Sequence, residues 1–123
     1  MSETTWNEQF RNRTKKLAIA IIKAYSNWKK TDEIRIIGKQ LLRSSTSVAA
    51  NYRAVCRARS DRERYAKLCI VVEEADESQF WLEILVDSEL IKPEELIKIR
   101  QEVEEIVKVM TTYKYRLEKN VTQ

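Results

Sequence analysis

Apolar and small side chains recur at alternating spacings of three and four along most of the chain, the period of a helix that buries one face. In residues 31–58 the repeat consists of Ile34, Gly38, Leu41, Ser45, Val48, Tyr52 and Val55. In residues 61–88 it consists of Tyr65, Leu68, Val72, Ala75, Gln79, Leu82 and Val86. In residues 93–119 it consists of Leu96, Ile99, Val103, Ile106, Met110, Tyr113 and Leu117. With Leu17, Ile21, Ala24 and Trp28 in the first segment, the pattern predicts helices near residues 12–28, 32–58, 61–88 and 93–119.

The predicted helix starts carry the residues that favour helix N-termini. Thr31 fits an N-cap, Ser60 forms a capping box with Glu63, and Pro93 suits a first helical turn. Short connections between long helices predict an all-α, antiparallel, up-down-up-down four-helix bundle. We expect one domain over residues 1–123, with a frayed N-terminal segment at 1–11 and a tail at 120–123. The first helix has two candidate starts, at Thr5 or at Asn12.

The run from Ser44 to Val48 has poor helix propensity, and it lies in the middle of the second predicted helix. Because the buried repeat keeps its phase across this run, we predict a continuous helix whose small residues let another helix approach closely. A kink or a loop at this run is the alternative.

Composition is consistent with one helical domain. The 123 residues are 43% hydrophobic and 34% charged, with one Gly and one Pro, which disfavours disorder and favours long helices. The N-terminal sequence lacks the apolar core of a signal peptide, and no apolar run is long enough to span a bilayer. We therefore expect a cytoplasmic protein without membrane contact, in which Cys56 and Cys69 stay reduced.

Basic side chains are concentrated on one side of the second predicted helix. Residues 1–67 hold 16 basic and 6 acidic side chains, whereas residues 68–123 hold 7 basic and 13 acidic. At about 100° per residue, one arc of roughly 80° contains Thr46, Ala50 and the five cations that we call the basic stripe. The basic stripe consists of Arg35, Lys39, Arg43, Arg53 and Arg57. Together with Arg59 and Arg62 it predicts a surface for nucleic-acid phosphates, where Tyr52 and Tyr65 could stack on bases.

The segment from Phe80 to Val86 is apolar at six of its seven positions, more than one buried helix face requires. An exposed apolar patch of this kind favours self-association. We therefore predict an oligomer interface formed by Phe80, Trp81, Ile84 and Leu85. Burial of the whole segment inside one subunit is the alternative.

The residue inventory argues against an enzyme. The chain contains no His, the most common general base and metal ligand, and Gly38 is its only glycine, so no glycine-rich phosphate loop exists. The acidic run at Glu73, Glu74, Asp76 and Glu77 is more typical of a solvated face than of a metal site. We expect no catalytic residues, no cofactor and no bound metal.

Residues 37–60, with Lys67 and residues 73–83, closely resemble the bacterial four-helix-bundle family of 23S rRNA intervening-sequence proteins, also called the S23 ribosomal protein family. The most specific part is the pattern from Arg43 to Tyr52, in which Ser45 stands where many members have Gly. The resemblance implies an antiparallel four-helix bundle that assembles into a homopentamer, without catalytic residues. A related group, the accessory proteins of diversity-generating retroelements, is thought to contact nucleic acid and a reverse transcriptase.

Two functional hypotheses follow from the sequence. In the first, the protein is an oligomer that binds RNA or DNA backbones through the basic stripe. In the second, it is a homo-oligomeric scaffold for protein interactions, whose basic half pairs with the acidic half of a neighbouring copy. A partner protein of unknown identity is compatible with both, and a basic stripe that is simply solvated is the remaining possibility.

Overall fold

A computed structural model describes residues 3–121, with side chains from residue 5 onward. Four helices account for most of it: α1 (Glu3–Asn27), α2 (Asp32–Cys56), α3 (Asp61–Asp87) and α4 (Pro93–Val121). Consecutive helices pack as antiparallel neighbours, most extensively α2 on α3, and α1 closes the bundle with a smaller contact against α4. The predicted all-α, up-down-up-down four-helix bundle is therefore confirmed.

The helix α1 begins at Glu3, close to Thr5, the first of the two predicted starts, and well before Asn12. Its first turns are fixed by an aromatic cluster in which the Trp6 ring lies 4.5 Å from Phe10 and 5.5 Å from Tyr113, measured between ring centroids. Phe10 is buried as well. The prediction of a frayed segment at residues 1–11 is thus wrong for residues 3–11. The predicted tail is helical up to Val121, and residues 1, 2, 122 and 123 lie outside the described range.

Side chains and local backbone geometry define the helix ends. Thr31 Oγ1 accepts a hydrogen bond from the Ile34 amide at 3.2 Å, and Ser60 Oγ accepts one from the Glu63 amide at 3.1 Å, as predicted. At the end of α3, Glu89 adopts a left-handed conformation with φ of 62°. The Leu90 amide then bonds to the Leu85 carbonyl at 3.1 Å, which completes a Schellman motif.

The buried repeat of α2 is as predicted, but that of α3 is shifted by one residue at alternate positions. The buried face of α3 consists of Leu68, Val71, Ala75, Ser78, Leu82 and Leu85. Val72, Gln79 and Val86, predicted to be buried, are only partly covered. The shift brings the hydroxyl of Ser78 to the interface with α2.

Small residues allow α2 and α3 to pack closely. Ser44 Oγ and Ser78 Oγ lie 2.8 Å apart, and both side chains are fully buried. One hydroxyl donates to the other, which in turn donates to a carbonyl of its own helix. The segment from Ser44 to Val48 remains helical, which confirms the continuous helix. Near the α1–α2 turn the ring of Tyr25 covers Gly38, where any Cβ would overlap that ring.

Candidate functional site

The basic stripe lies on the exposed side of α2. All five of its cations are exposed, as are Thr46 and Ala50 between them. This placement follows from the buried repeat, since Leu41, Val48 and Tyr52 turn the opposite side of α2 into the core. The helix thus presents all five cations on one solvent-exposed side.

Two cations of the basic stripe already have acidic partners. Arg43 bridges to α3, where its guanidinium contacts Glu74 at 3.1 Å and also pairs with Glu77. Hydrogen bonds from Arg43 and from the Trp81 indole N–H hold the pKa of the Glu77 carboxyl below its usual value. Arg35 pairs with Asp32 of its own helix at 3.4 Å. Arg43 therefore contributes little free positive charge to an external ligand.

The other predicted cations are not neutralised by a close acidic side chain. Among the side chains of residues 5–121, Lys39, Arg53, Arg57 and Arg62 form no ion pair, and all four are exposed. Arg59 approaches Glu63 at 3.7 Å, but its side chain is 90% exposed, so solvent screens this pair strongly. The available positive charge is thus concentrated at the C-terminal half of α2 and the start of α3, with Lys39 farther back along α2.

Two further cations, which the sequence analysis missed, extend this surface onto α1. Arg11 and Lys15 line a shallow groove of about 150 Å³ together with Ala49, Ala50 and Arg53; we call it the α1–α2 groove. Arg11 and Lys15 are four residues apart, so they share one face of α1. That spacing was visible in the sequence, but only the packing of α1 on α2 shows which face it is.

Charges from both α1 and the end of α2 act on the thiol of Cys56. Burial raises its pKa, whereas the charges of Arg11 and Arg57 act in the opposite direction. The neighbouring Tyr52 is fully buried, and its hydroxyl donates to Asn7 Oδ1 at 3.3 Å. The suggestion that Tyr52 stacks on bases is wrong, because no face of its ring reaches solvent.

The apolar segment of α3 divides between the core and the surface. Leu85 is 0% exposed and belongs to the core, so its assignment to an oligomer interface is wrong. Phe80 is 48% exposed, while Trp81 and Ile84 are partly covered.

An exposed residue of α2 lies beside this segment. The ion pair of Arg43 with Glu77 shows how the antiparallel helices α2 and α3 are aligned, and two helical turns away from that pair Ile36 of α2 lies level with Ile84 of α3. Ile36 is 67% exposed.

We call the side of the bundle formed by Ile36, Phe80, Trp81 and Ile84 the α2–α3 apolar face. It includes three of the four predicted interface residues. It adjoins the Arg43–Glu77 pair on the same side of the bundle, through the Trp81–Glu77 hydrogen bond.

In the described part of the chain, no group of three or more Cys, Asp or Glu side chains is arranged to hold a metal ion. None of the four helices, as far as the structure describes them, is both long and apolar enough to cross a membrane.

Known proteins share this four-helix architecture. A crystal structure of a Bacteroides thetaiotaomicron protein of unknown function, from the S23 ribosomal protein family, superposes with a TM-score of 0.78 at 30% sequence identity. The match covers 89% of this chain and 97% of that one. No curated protein sequence shows significant similarity to the chain. The family model described as 23S rRNA-intervening sequence protein matches residues 7–112, and the chain therefore belongs to that family.

Proposed function

We propose that this protein is a non-catalytic, homo-oligomeric protein that binds nucleic-acid backbones through the exposed cations of α2. The name of the family associates its members with rRNA, so RNA is the first ligand to test, with DNA as the comparison. Phosphate contacts from Lys and Arg provide affinity without reading sequence. We accordingly expect poor sequence selectivity.

The observation that carries the proposal is the free charge of Lys39, Arg53 and Arg57. These cations share one side of a single helix, and in the described residues none of them has an acidic partner. Arg53 and Arg57 are one helical turn apart, and Lys39 lies about 21 Å farther back along the same helix at 1.5 Å per residue, so these cations can contact separate phosphates of one backbone. Cations that served only to stabilise the bundle would be expected to pair as Arg43 does.

The α2–α3 apolar face supports the oligomeric part of the proposal. Ile36 and Phe80 are exposed on adjoining helices and form an apolar surface. Covering this surface with a neighbouring subunit would lower the free energy of the assembly. We propose a closed homopentamer. Such a ring would repeat the basic stripe around its axis, so that modest affinity per subunit becomes strong overall binding through effective concentration.

Charge reversal tests the proposal. Arg53→Glu combined with Arg57→Glu should weaken binding to a short RNA duplex by at least about 100-fold at low salt. The control is Lys92→Glu with Lys98→Glu, which makes the same change in net charge at two exposed positions in the acidic half of the chain. If both double variants weaken binding equally, only net charge matters and the basic stripe is not the binding surface.

A protein-interaction scaffold is the second candidate function. It is favoured by the ion pairs of Arg43 with Glu74 and Glu77, which show that acidic side chains of α3 can pair with the basic stripe. If the Arg53→Glu, Arg57→Glu variant dissociates the oligomer while the wild-type protein ignores nucleic acid at low salt, the cations are intersubunit contacts. The scaffold function would then replace nucleic-acid binding.

A further inference from the structure

The α1–α2 groove has the properties of a binding site, or seat, for a single phosphate group. Arg11 and Lys15 line it from α1 and Arg53 lines it from α2, and the small side chains of Ala49 and Ala50 complete the lining. We propose that this groove binds one phosphodiester group of a nucleic-acid backbone, which fixes where the backbone crosses from α2 onto α1. The inference rests on the proposed function and assigns a specific site to it.

The charge in the groove is available to a ligand. Within the described range, Arg11, Lys15 and Arg53 make no ion pair and no side-chain hydrogen bond. By contrast, Arg13 on another face of α1 is held by Glu102 of α4, at 2.6 Å. The cations that line the groove are thus left without an acidic partner, although Arg13, which lies between Arg11 and Lys15 in the sequence, is paired.

The small side chains of Ala49 and Ala50 leave the volume of the α1–α2 groove open. Ala49 is half-buried between the helices and Ala50 is exposed at the rim, so neither side chain fills the gap below the three cations. The resulting volume of about 150 Å³ is open to solvent and admits a group of the size of a phosphate. A longer side chain at position 50 would occupy this space without changing any charge.

The arrangement fits a phosphodiester better than a protein carboxylate. The non-bridging oxygens of a phosphodiester accept several hydrogen bonds from different directions, and Arg donates to them in a bidentate manner. A phosphodiester and a carboxylate each carry one negative charge, but a nucleic-acid backbone also delivers its next phosphates to the neighbouring cations. Arg53 belongs to both the groove and the basic stripe, and Arg57 follows one helical turn later as the residue that caps α2. The two surfaces are therefore continuous.

The first test removes only the α1 cations and leaves the basic stripe intact. Arg11→Gln with Lys15→Gln should weaken binding to a short RNA duplex about tenfold, and it should reduce the slope of log K against log salt by about 1, since one phosphate contact is lost. The matched control is Lys16→Gln with Lys23→Gln, which removes the same charge from the same helix. Lys16 lines the opposite, α1–α4 side, so the control should lose only about twofold.

A second pair of variants tests the shape of the groove at constant charge. Ala50→Met should fill the seat and weaken binding about fivefold or more, a loss of the order expected for displaced charge-assisted hydrogen bonds. Ala20→Met is the control, because Ala20 is another exposed alanine, on the α1–α4 side. Circular dichroism and sedimentation should show that all four variants keep the fold and the mass of the wild-type protein.

The outcomes separate this inference from the proposed function. If the α1 double variant loses no more than its control while the Arg53→Glu, Arg57→Glu variant loses binding, the groove is not a seat but the basic stripe still binds. If Ala50→Met leaves the affinity unchanged, the site is a diffuse cationic surface and the inference is overturned. If the α1 double variant dissociates the oligomer, the groove holds an acidic segment of another copy.

Discussion

Replacing Phe80 with Ala should dissociate the oligomer more than it destabilises the fold. With 48% of the residue exposed in the single chain, about 100 Å² remains for a neighbour to cover, given about 200 Å² for a whole Phe side chain. At about 25 cal/mol per Å² this surface is worth ~2.5 kcal/mol per interface, or roughly a 60-fold change in the dissociation constant. The part already buried limits the loss in unfolding free energy to about 2 kcal/mol.

Sedimentation velocity over a range of protein concentrations measures the assembly, and urea denaturation measures the free energy of unfolding. Ile97→Ala is the matched control, because Ile97 of α4 is 50% exposed on a different side of the bundle. Leu85→Ala is the core control and should cost about 2–5 kcal/mol of unfolding free energy. Equal dissociation by Phe80→Ala and Ile97→Ala, or a monomeric wild-type protein at tens of micromolar, would refute the assignment of the α2–α3 apolar face.

Three further predictions concern stability, and urea denaturation checks each of them. Glu89→Gly should raise the unfolding free energy by about 1 kcal/mol, because glycine adopts the left-handed conformation at the end of α3 without strain. Arg43→Gln should lower the unfolding free energy by under about 1 kcal/mol, because solvent screens the exposed pair of Arg43 with Glu77. Arg43 lowers the folded-state pKa of Glu77, so the wild-type protein has this stabilisation above about pH 4.5 and loses it as Glu77 protonates at lower pH. Ser44→Leu should cost more than the ~1 kcal/mol of Ser44→Ala, because a larger side chain would force α2 away from Ser78.

Helix number, order and connections were predictable because local signals agree with the fold. The repeat from Ile34 to Val55 indicates the buried face of α2, and Thr31, Ser60 and Pro93 mark helix starts. The face of α3 was harder to predict because apolar residues are contiguous at 70–72 and 84–86, so two phases fit almost equally well. The correct phase depends on Ser78 meeting Ser44, a contact between helices that no local pattern specifies.

The candidate site was predictable on α2 and unpredictable between helices. Helical geometry alone placed Lys39, Arg53 and Arg57 on one exposed side. The neutralisation of Arg43 depends on the register of α2 against α3, which brings in Glu74 and Glu77.

The early start of α1 likewise depends on contacts distant in sequence. Trp6 and Phe10 pack near Tyr52 of α2, and Trp6 also packs against Tyr113 of α4. Their spacing of four residues was a local sign that the helix extends to the N-terminal side of Asn12.

The most direct test of nucleic-acid binding is the salt dependence of the affinity of the wild-type protein for a short duplex. Each phosphate neutralised contributes about −0.9 to the slope of log K against log salt. Contacts from Lys39, Arg53 and Arg57 alone therefore predict a slope of about −2.7, and contacts from the α1–α2 groove would make it steeper. A slope between zero and about −1, or no binding at low salt, would contradict a phosphate-binding surface on α2.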